Sequence, residues 1–213
     1  MDLFSLLGTY KIVAIIRGLP CEKVIKTTHA LRNGGIKFVE VTFNQTEPEN
    51  ITSNIIAELC KIFPDMYIGA GTVMTMDQLY TAYHAGAKYI ITPNTDKEII
   101  KEAKKLNMLT MPGAMTPSEI VSCYNAGADV VKIFPADNLG IPFINAVRGP
   151  LGHIPISAVG GVNLDNIREF FANGVYCVGI GSNIIDKHAI EKNDYIRIEK
   201  LARQYVNKLG SHV

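Results

Sequence analysis

Eight short apolar runs, each followed by a stretch of helical period, define the folding problem for this chain. The runs are KIVAIIR (11–17), KFVEVTF (37–43), YIGAGTV (67–73), YIITP (89–93), MLTMPGA (108–114), DVVKIFP (129–135), PISAVGG (155–161) and CVGIGS (177–182). Most are near-continuous in Val, Ile and Ala rather than alternating. That pattern suits parallel strands whose outer face is covered by helices. The segments between them carry helix-start signals, such as Thr116-Pro117-Ser118-Glu119 and Asn163-Leu164-Asp165. Pro117 fits a first helical turn, where its missing N–H costs nothing.

A weak internal repeat supports the count of eight. NGGIKFVEV, AGAKYIIT, AGADVVKIF and NGVYCVGI each run from a helix end through glycine into a strand. Gly34, Gly86, Gly127 and Gly174 suit the left-handed cap that turns a helix back toward a strand. They recur every second unit and so mark the first, third, fifth and seventh helices. Eight units in 213 residues leave roughly 27 residues apiece, close to the minimum for strand, loop and helix. The expected fold class is α/β, a single-domain (β/α)8 barrel over residues 1–213 without inserted domains or linkers. A doubly wound open sheet is the alternative.

Composition narrows the partners. Hydrophobic residues make up 47% of the chain, enough for one sizeable core, and the formal net charge is +1. That balance gives no general electrostatic reason to bind nucleic acid or an anionic membrane. The expected partner is a small molecule held by a few local charges. Cys21, Cys60, Cys123 and Cys177 lie far apart with no CxxC pair, which argues against a metal knuckle or a disulfide framework. The start MDLFSLLGTYKIVAIIRG lacks the features of a signal peptide, and no apolar run approaches the roughly 20 residues that span a bilayer. A cytoplasmic location is the expectation.

In a barrel of this kind the chemistry sits at the C-terminal strand ends. Strand 1 ends in Arg17, strand 2 carries Glu40 and ends near Asn44, and strand 3 ends in GAGT with Thr72. Strand 4 ends at Pro93, strand 6 offers Lys132 before Phe134, strand 7 ends at Val159-Gly160-Gly161, and strand 8 ends at Gly181-Ser182. Alternation sends Glu40, Thr42 and Asn44 to one face of strand 2, with Val39, Val41 and Phe43 on the other. The polar set is expected to point into the barrel. Lys132 shares its face with Val130 and Phe134, while Val131 and Ile133 face the helices.

A lysine in an apolar run is, by itself, most often a solvent-facing residue of an edge strand. An inward ammonium is costly unless paired or deprotonated, and burial produces the neutral amine that attacks carbonyls. Glu40 could merely neutralise Lys132 or could shuttle protons for it. Arg17 could pair with a surface acid or grip a substrate carboxylate. Gly160 and Gly161, with Gly181 and Ser182, could make tight turns, or could bind phosphate through backbone N–H groups and a helix N-terminus. His29, His84, His153, His188 and His212 show no metal-ligand spacing and read as surface or packing residues. The last segment, EKNDYIRIEKLARQYVNKLG, reads as a solvated amphipathic helix.

AIIRG, VEVTFN, IGAGTV, ITPN, MPGAMTPSE, VVKIFPA, AVGGV and GIGS, in this order from about Lys11 to Tyr205, make the chain resemble the class I aldolases of 2-keto-3-deoxy-6-phospho sugar acids. The same family holds 4-hydroxy-2-oxoglutarate aldolase. The resemblance implies a Schiff base on Lys132, Glu40 as general acid/base, and Arg17 and Thr72 at the pyruvyl end of the substrate. It implies phosphate binding at Gly160, Gly161, Gly181 and Ser182, with Asn44, Pro93, Phe134 and Val159 shaping specificity and packing. It also implies a homotrimer with no metal and no cofactor, acting on a phosphorylated keto sugar acid and pyruvate. Members acting on phosphogluconate typically carry an arginine where this chain has Asn44, and many have threonine where it has Val159. Asn44, Arg17 and Val159 look more like the phosphogalactonate branch. A non-covalent phosphosugar isomerase on the same barrel and a non-catalytic metabolite sensor are the alternatives from other classes.

Overall fold

The computed structural model describes residues 1–210, so His212 lies outside the described residues. Its centre is a parallel sheet. Strands β1 (Ile12–Ile16), β2 (Phe38–Thr42), β3 (Tyr67–Gly71), β4 (Tyr89–Ile91) and β5 (Leu109–Met111) pair in sequence order. Strands β6 (Gly113–Ala114), β7 (Val131–Ile133), β8 (Ile156–Val159) and β9 (Cys177–Ile180) continue the sheet, and β9 returns to β1. Only Pro112 separates β5 from β6. Proline cannot donate a ladder hydrogen bond, so a single strand is divided, with β5 bonded to β4 and β6 to β7. Counted this way the sheet is an eight-stranded closed barrel, and each of the eight expected strands is present.

Around it stand α2 (Cys21–Asn33), α3 (Glu49–Ile62), α4 (Met76–His84), α5 (Lys97–Lys105), α6 (Pro117–Asn125), α7 (Ala136–Leu151), α8 (Ile167–Ala172) and α10 (Tyr195–Lys208). Two further helices, α1 (Leu3–Tyr10) and α9 (Lys187–Glu191), lie outside the eightfold pattern. Val39, Val41, Phe43, Val131 and Ile133 join the layer between sheet and helices. Val13, Phe38, Tyr89, Met111, Val130 and Cys177 fill the barrel interior, where Leu7 of α1 packs against them. α1 thus plugs the end of the barrel opposite the strand C-termini. Leu7 is fully buried, and burying such a side chain contributes about 1.5–3 kcal/mol. The helix is only eight residues long and contains Gly8, so its local signal is weak. Packing on the barrel is what makes it helical.

Helix ends follow the sequence with two shifts. Thr116 and Glu119 form a full capping box ahead of Pro117. Asn163, by contrast, bonds the backbone N–H groups of Asp165 and Asn166 as a turn, and α8 starts only at Ile167. Gly86, Gly127 and Gly174 adopt positive φ at their helix ends, as expected. At the first helix the left-handed residue is Gly35, while Gly34 keeps a right-handed φ of −76°. Gly34 is required for another reason: a Cβ there would collide with Ala202 and the Glu199 carbonyl, so its absence lets α10 approach α2. His29, His84 and His188 lie on α2, α4 and α9. No helix among the described residues is long and apolar enough to cross a membrane.

Candidate active site

At the C-terminal strand ends a cavity of about 450 Å³ opens, lined by Ile15, Arg17, Glu40, Thr72, Pro93 and Lys132 on one side. Phe134, Val159, Gly160, Gly161, Gly181 and Ser182 complete it, together with Val162, Gly179 and Asn183. Of the sequence candidates only Asn44 lies elsewhere. β2 ends at Thr42, so the alternation that aims Glu40 inward does not extend to residue 44. Asn44 is exposed, and its side chain accepts hydrogen bonds from the N–H and hydroxyl of Thr46.

Lys132 sits in the middle of β7, opposite Gly113 on β6 and Ser157 on β8, so it is not an edge residue. It is 7% exposed, and its ammonium nitrogen lies 4.6 Å from the centre of the Phe134 ring. Burial lowers its pKa below the ordinary lysine value; the Arg17 charge adds to that, and the Glu40 charge opposes it. Glu40 is 2% exposed, and burial raises its pKa against the pull of Lys132 and Arg17. Among the described residues no group bonds Glu40 Oε2. The two shifts run toward each other, which narrows the difference in proton affinity between carboxyl and amine.

The GAG of β3 explains how these groups fit. Gly69 and Gly71 face inward with no side chain, and Glu40 and Tyr89 occupy the space. A Cβ on Gly71 would overlap the Glu40 carboxyl, and one on Gly69 would enter the Tyr89 ring. Gly71→Ala is therefore expected to displace Glu40 and lower kcat at least tenfold. Overpacking should also cost about 1–3 kcal/mol of stability, read as a lower Tm by calorimetry. Wild-type kcat in that variant would show that the Glu40 position is not needed.

Arg17 and Thr72 form one corner of the cavity. The Arg17 Nη2 donates to Thr72 Oγ1 at 3.0 Å. Thr72 has φ of 55°, a left-handed conformation that strains a β-branched residue by roughly 1–3 kcal/mol. The opposite rim is a glycine cradle. Gly160 and Gly161 have φ of 100° and 72°, and nothing lies within contact of a Cβ built on Gly181. The expected helix N-terminus is not part of that rim. α8 begins six residues beyond Gly161, and residues 182–184 form a turn.

Asn183, which the sequence reading did not single out, joins the two loops of the cradle. Its Nδ2 donates to the Val162 carbonyl at 2.8 Å, and its own carbonyl accepts from the Tyr205 hydroxyl. An asparagine after GIGS has no signature of its own, so sequence offered no handle on it. Among the described residues no group of three His, Cys, Asp or Glu side chains is placed to hold a metal ion.

Comparison with known proteins agrees with this geometry. The family model "KDPG and KHG aldolase" matches residues 4–201. The KHG/KDPG aldolase of Escherichia coli is 33% identical over 95% of this chain and 93% of its own. The probable 2-dehydro-3-deoxy-6-phosphogalactonate aldolase of Rhizobium meliloti is 35% identical over 81% of each chain. Among solved structures, the Legionella pneumophila KDPG aldolase superposes with a TM-score of 0.86 at 29% identity, over 95% of this chain and 97% of that one. That protein was captured with pyruvate as a covalent carbinolamine intermediate.

Proposed function

The chain belongs to the KDPG and KHG aldolase family, and from that membership we propose the residues that carry out its class I, Schiff-base carbon–carbon cleavage. The substrate is a 2-keto-3-deoxy-6-phospho sugar acid, and the products are pyruvate and glyceraldehyde 3-phosphate. The carrying observation is Lys132, an amine buried in the barrel mouth with its pKa lowered, alongside a buried carboxyl whose pKa is raised.

Neutral Lys132 Nζ adds to the C2 ketone. Glu40 donates the proton with which the C2 oxygen leaves as water, and an iminium remains. Glu40, now a carboxylate, takes the C4 hydroxyl proton through a water. The electrons of the C3–C4 bond then flow into the iminium, which releases the aldehyde and leaves an enamine. Return of the proton to C3 and addition of water give pyruvate and the free amine. Arg17 and Thr72 hold the carboxylate during these steps, and Gly160, Gly161, Gly181 and Ser182 hold the phosphate. Pro93 and Phe134 wall the cavity.

Of the two sugar epimers the galactonate type is our reading. It rests on Arg17 and Val159, which line the cavity, and Asn44 does not contact that space. The family's other named substrate, 4-hydroxy-2-oxoglutarate, is the second reading. It lacks a phosphate and would leave the glycine rim unused. A homotrimer is the proposed assembly. Met74, Tyr80, Tyr83, Met115 and Tyr124, on or beside α4 and α6, are exposed apolar side chains available for an interface. Light scattering is expected to give three times the 23.3 kDa chain mass, and a monomer would overturn the proposal.

Borohydride reduction in the presence of pyruvate tests the covalent step. A permanent adduct is expected on Lys132. Only the neutral amine attacks, so the trapping rate should rise as pH increases through the lowered pKa of Lys132. The midpoint should lie below the ordinary lysine value of 10.5. No adduct, or an adduct on another lysine, would favour non-covalent isomerase chemistry.

A further inference from the structure

We infer that Gln45, fixed by Gln78, is a positioning residue for the Arg17–Thr72 corner, and that this pair adjusts affinity for the keto-acid carboxylate. The inference rests on the reading of Arg17 as the carboxylate grip.

Two side-chain amides lie head to tail behind that corner. Gln78, on the first turn of α4 and 4% exposed, accepts at Oε1 from the Met74 backbone N–H at 2.8 Å. A backbone N–H can only donate, so the Gln78 Nε2 must be the end that faces Gln45. It donates to Gln45 Oε1 at 2.9 Å, and Gln45 Nε2 in turn donates to the Thr72 carbonyl at 3.0 Å. The polarity of the chain is therefore set at both ends by backbone groups. Flipping either amide would set donor against donor.

Thr72 is the residue that needs such holding. Its φ of 55° is one a β-branched side chain rarely adopts, so its carbonyl and hydroxyl directions depend on surrounding restraints. The Gln45 bond holds the carbonyl, and the hydroxyl then accepts from Arg17 Nη2 at 3.0 Å. The loops after β1, β2 and β3 are thereby tied to the first turn of α4.

Asn44 acquires a role here without touching the cavity. Its carboxamide oxygen bonds the N–H and hydroxyl of Thr46, which folds the loop that presents Gln45 to Thr72.

The test compares Gln45→Leu, which keeps bulk but loses both bonds, with Arg17→Ala and wild type. The readout is the pyruvate concentration giving half-maximal borohydride adduct, with full labelling at saturation as the check on folding. Gln45→Glu, which can accept from Gln78 but cannot donate to Thr72, is the second variant. Both Gln45 variants are expected to raise the half-saturating concentration about five- to tenfold, the size of one lost hydrogen bond in the grip. Their maximal adduct rate and their inhibition by inorganic phosphate should stay within twofold of wild type. A raised value in Arg17→Ala with both Gln45 variants at the wild-type value would overturn the relay alone. No rise in Arg17→Ala would overturn the carboxylate reading, and the relay with it. Equal loss of maximal rate and affinity in the Gln45 variants would mark a general structural role and also overturn the inference.

Discussion

Lys132→Ala is expected to lower turnover of the phosphorylated keto acid by at least about 10⁴-fold, because the iminium is the electron sink for bond cleavage and no other amine reaches the ketone. Without the sink, breaking the C3–C4 bond would place a full negative charge on carbon. No other cavity-lining residue has an amine to offer in its place. Arg17 offers only a delocalised guanidinium, a hydrogen-bond donor rather than a nucleophile. The variant should fold. Lys132 shares the cavity with Phe134, Val159, Arg17 and Glu40; its burial and the Arg17 charge oppose its ammonium more than Glu40 supports it, so removing it relieves a desolvation cost. Its Tm is expected to equal or exceed that of wild type, which separates loss of chemistry from loss of fold. Pyruvate release measured for purified Lys132→Ala within tenfold of the wild-type rate would sink the covalent mechanism.

Glu40→Gln carries the second large effect. The amide keeps the shape of the carboxyl and the space left by Gly71, but it cannot take or return a proton. kcat is expected to fall about 10²–10⁴-fold, the usual worth of general acid–base catalysis. Iminium formation is the easier step, and borohydride should still label Lys132 in the presence of pyruvate. The pH dependence should change as well. Glu40 charge raises the Lys132 pKa, so removing that charge lowers it further, and the trapping profile moves to lower pH. A kcat within threefold of wild type would place the proton shuttle on another group. An unchanged trapping profile would show that the two side chains do not sense each other.

The strand residues were legible because their information is local. Alternation has a period of two, so Glu40 and Lys132 could be turned inward from their own strands once parallel strands and covering helices were inferred. The same rule failed at Asn44 because the strand ends at Thr42, and beyond it a side chain answers to its turn rather than to the pleat. The glycine caps were legible in kind and off by one residue at the first helix. There, a close approach by α10, distant in sequence, set the role of Gly34.

From the sequence alone followed the eight strands, the barrel end that carries the chemistry, and the pairing of an inward amine with an inward carboxyl. All three rest on periodicity and strand order, which short-range sterics impose on any chain of this pattern. The tertiary structure alone decided that α1 plugs the far end, that Gly69 and Gly71 vacate space for Tyr89 and Glu40, and that Gln78 and Gln45 brace Thr72 behind Arg17. Each depends on which side chains from separate βα units share one volume. Contacts of that kind are selected by packing and hydrogen-bond satisfaction across the closed barrel, and no local stretch of sequence records them.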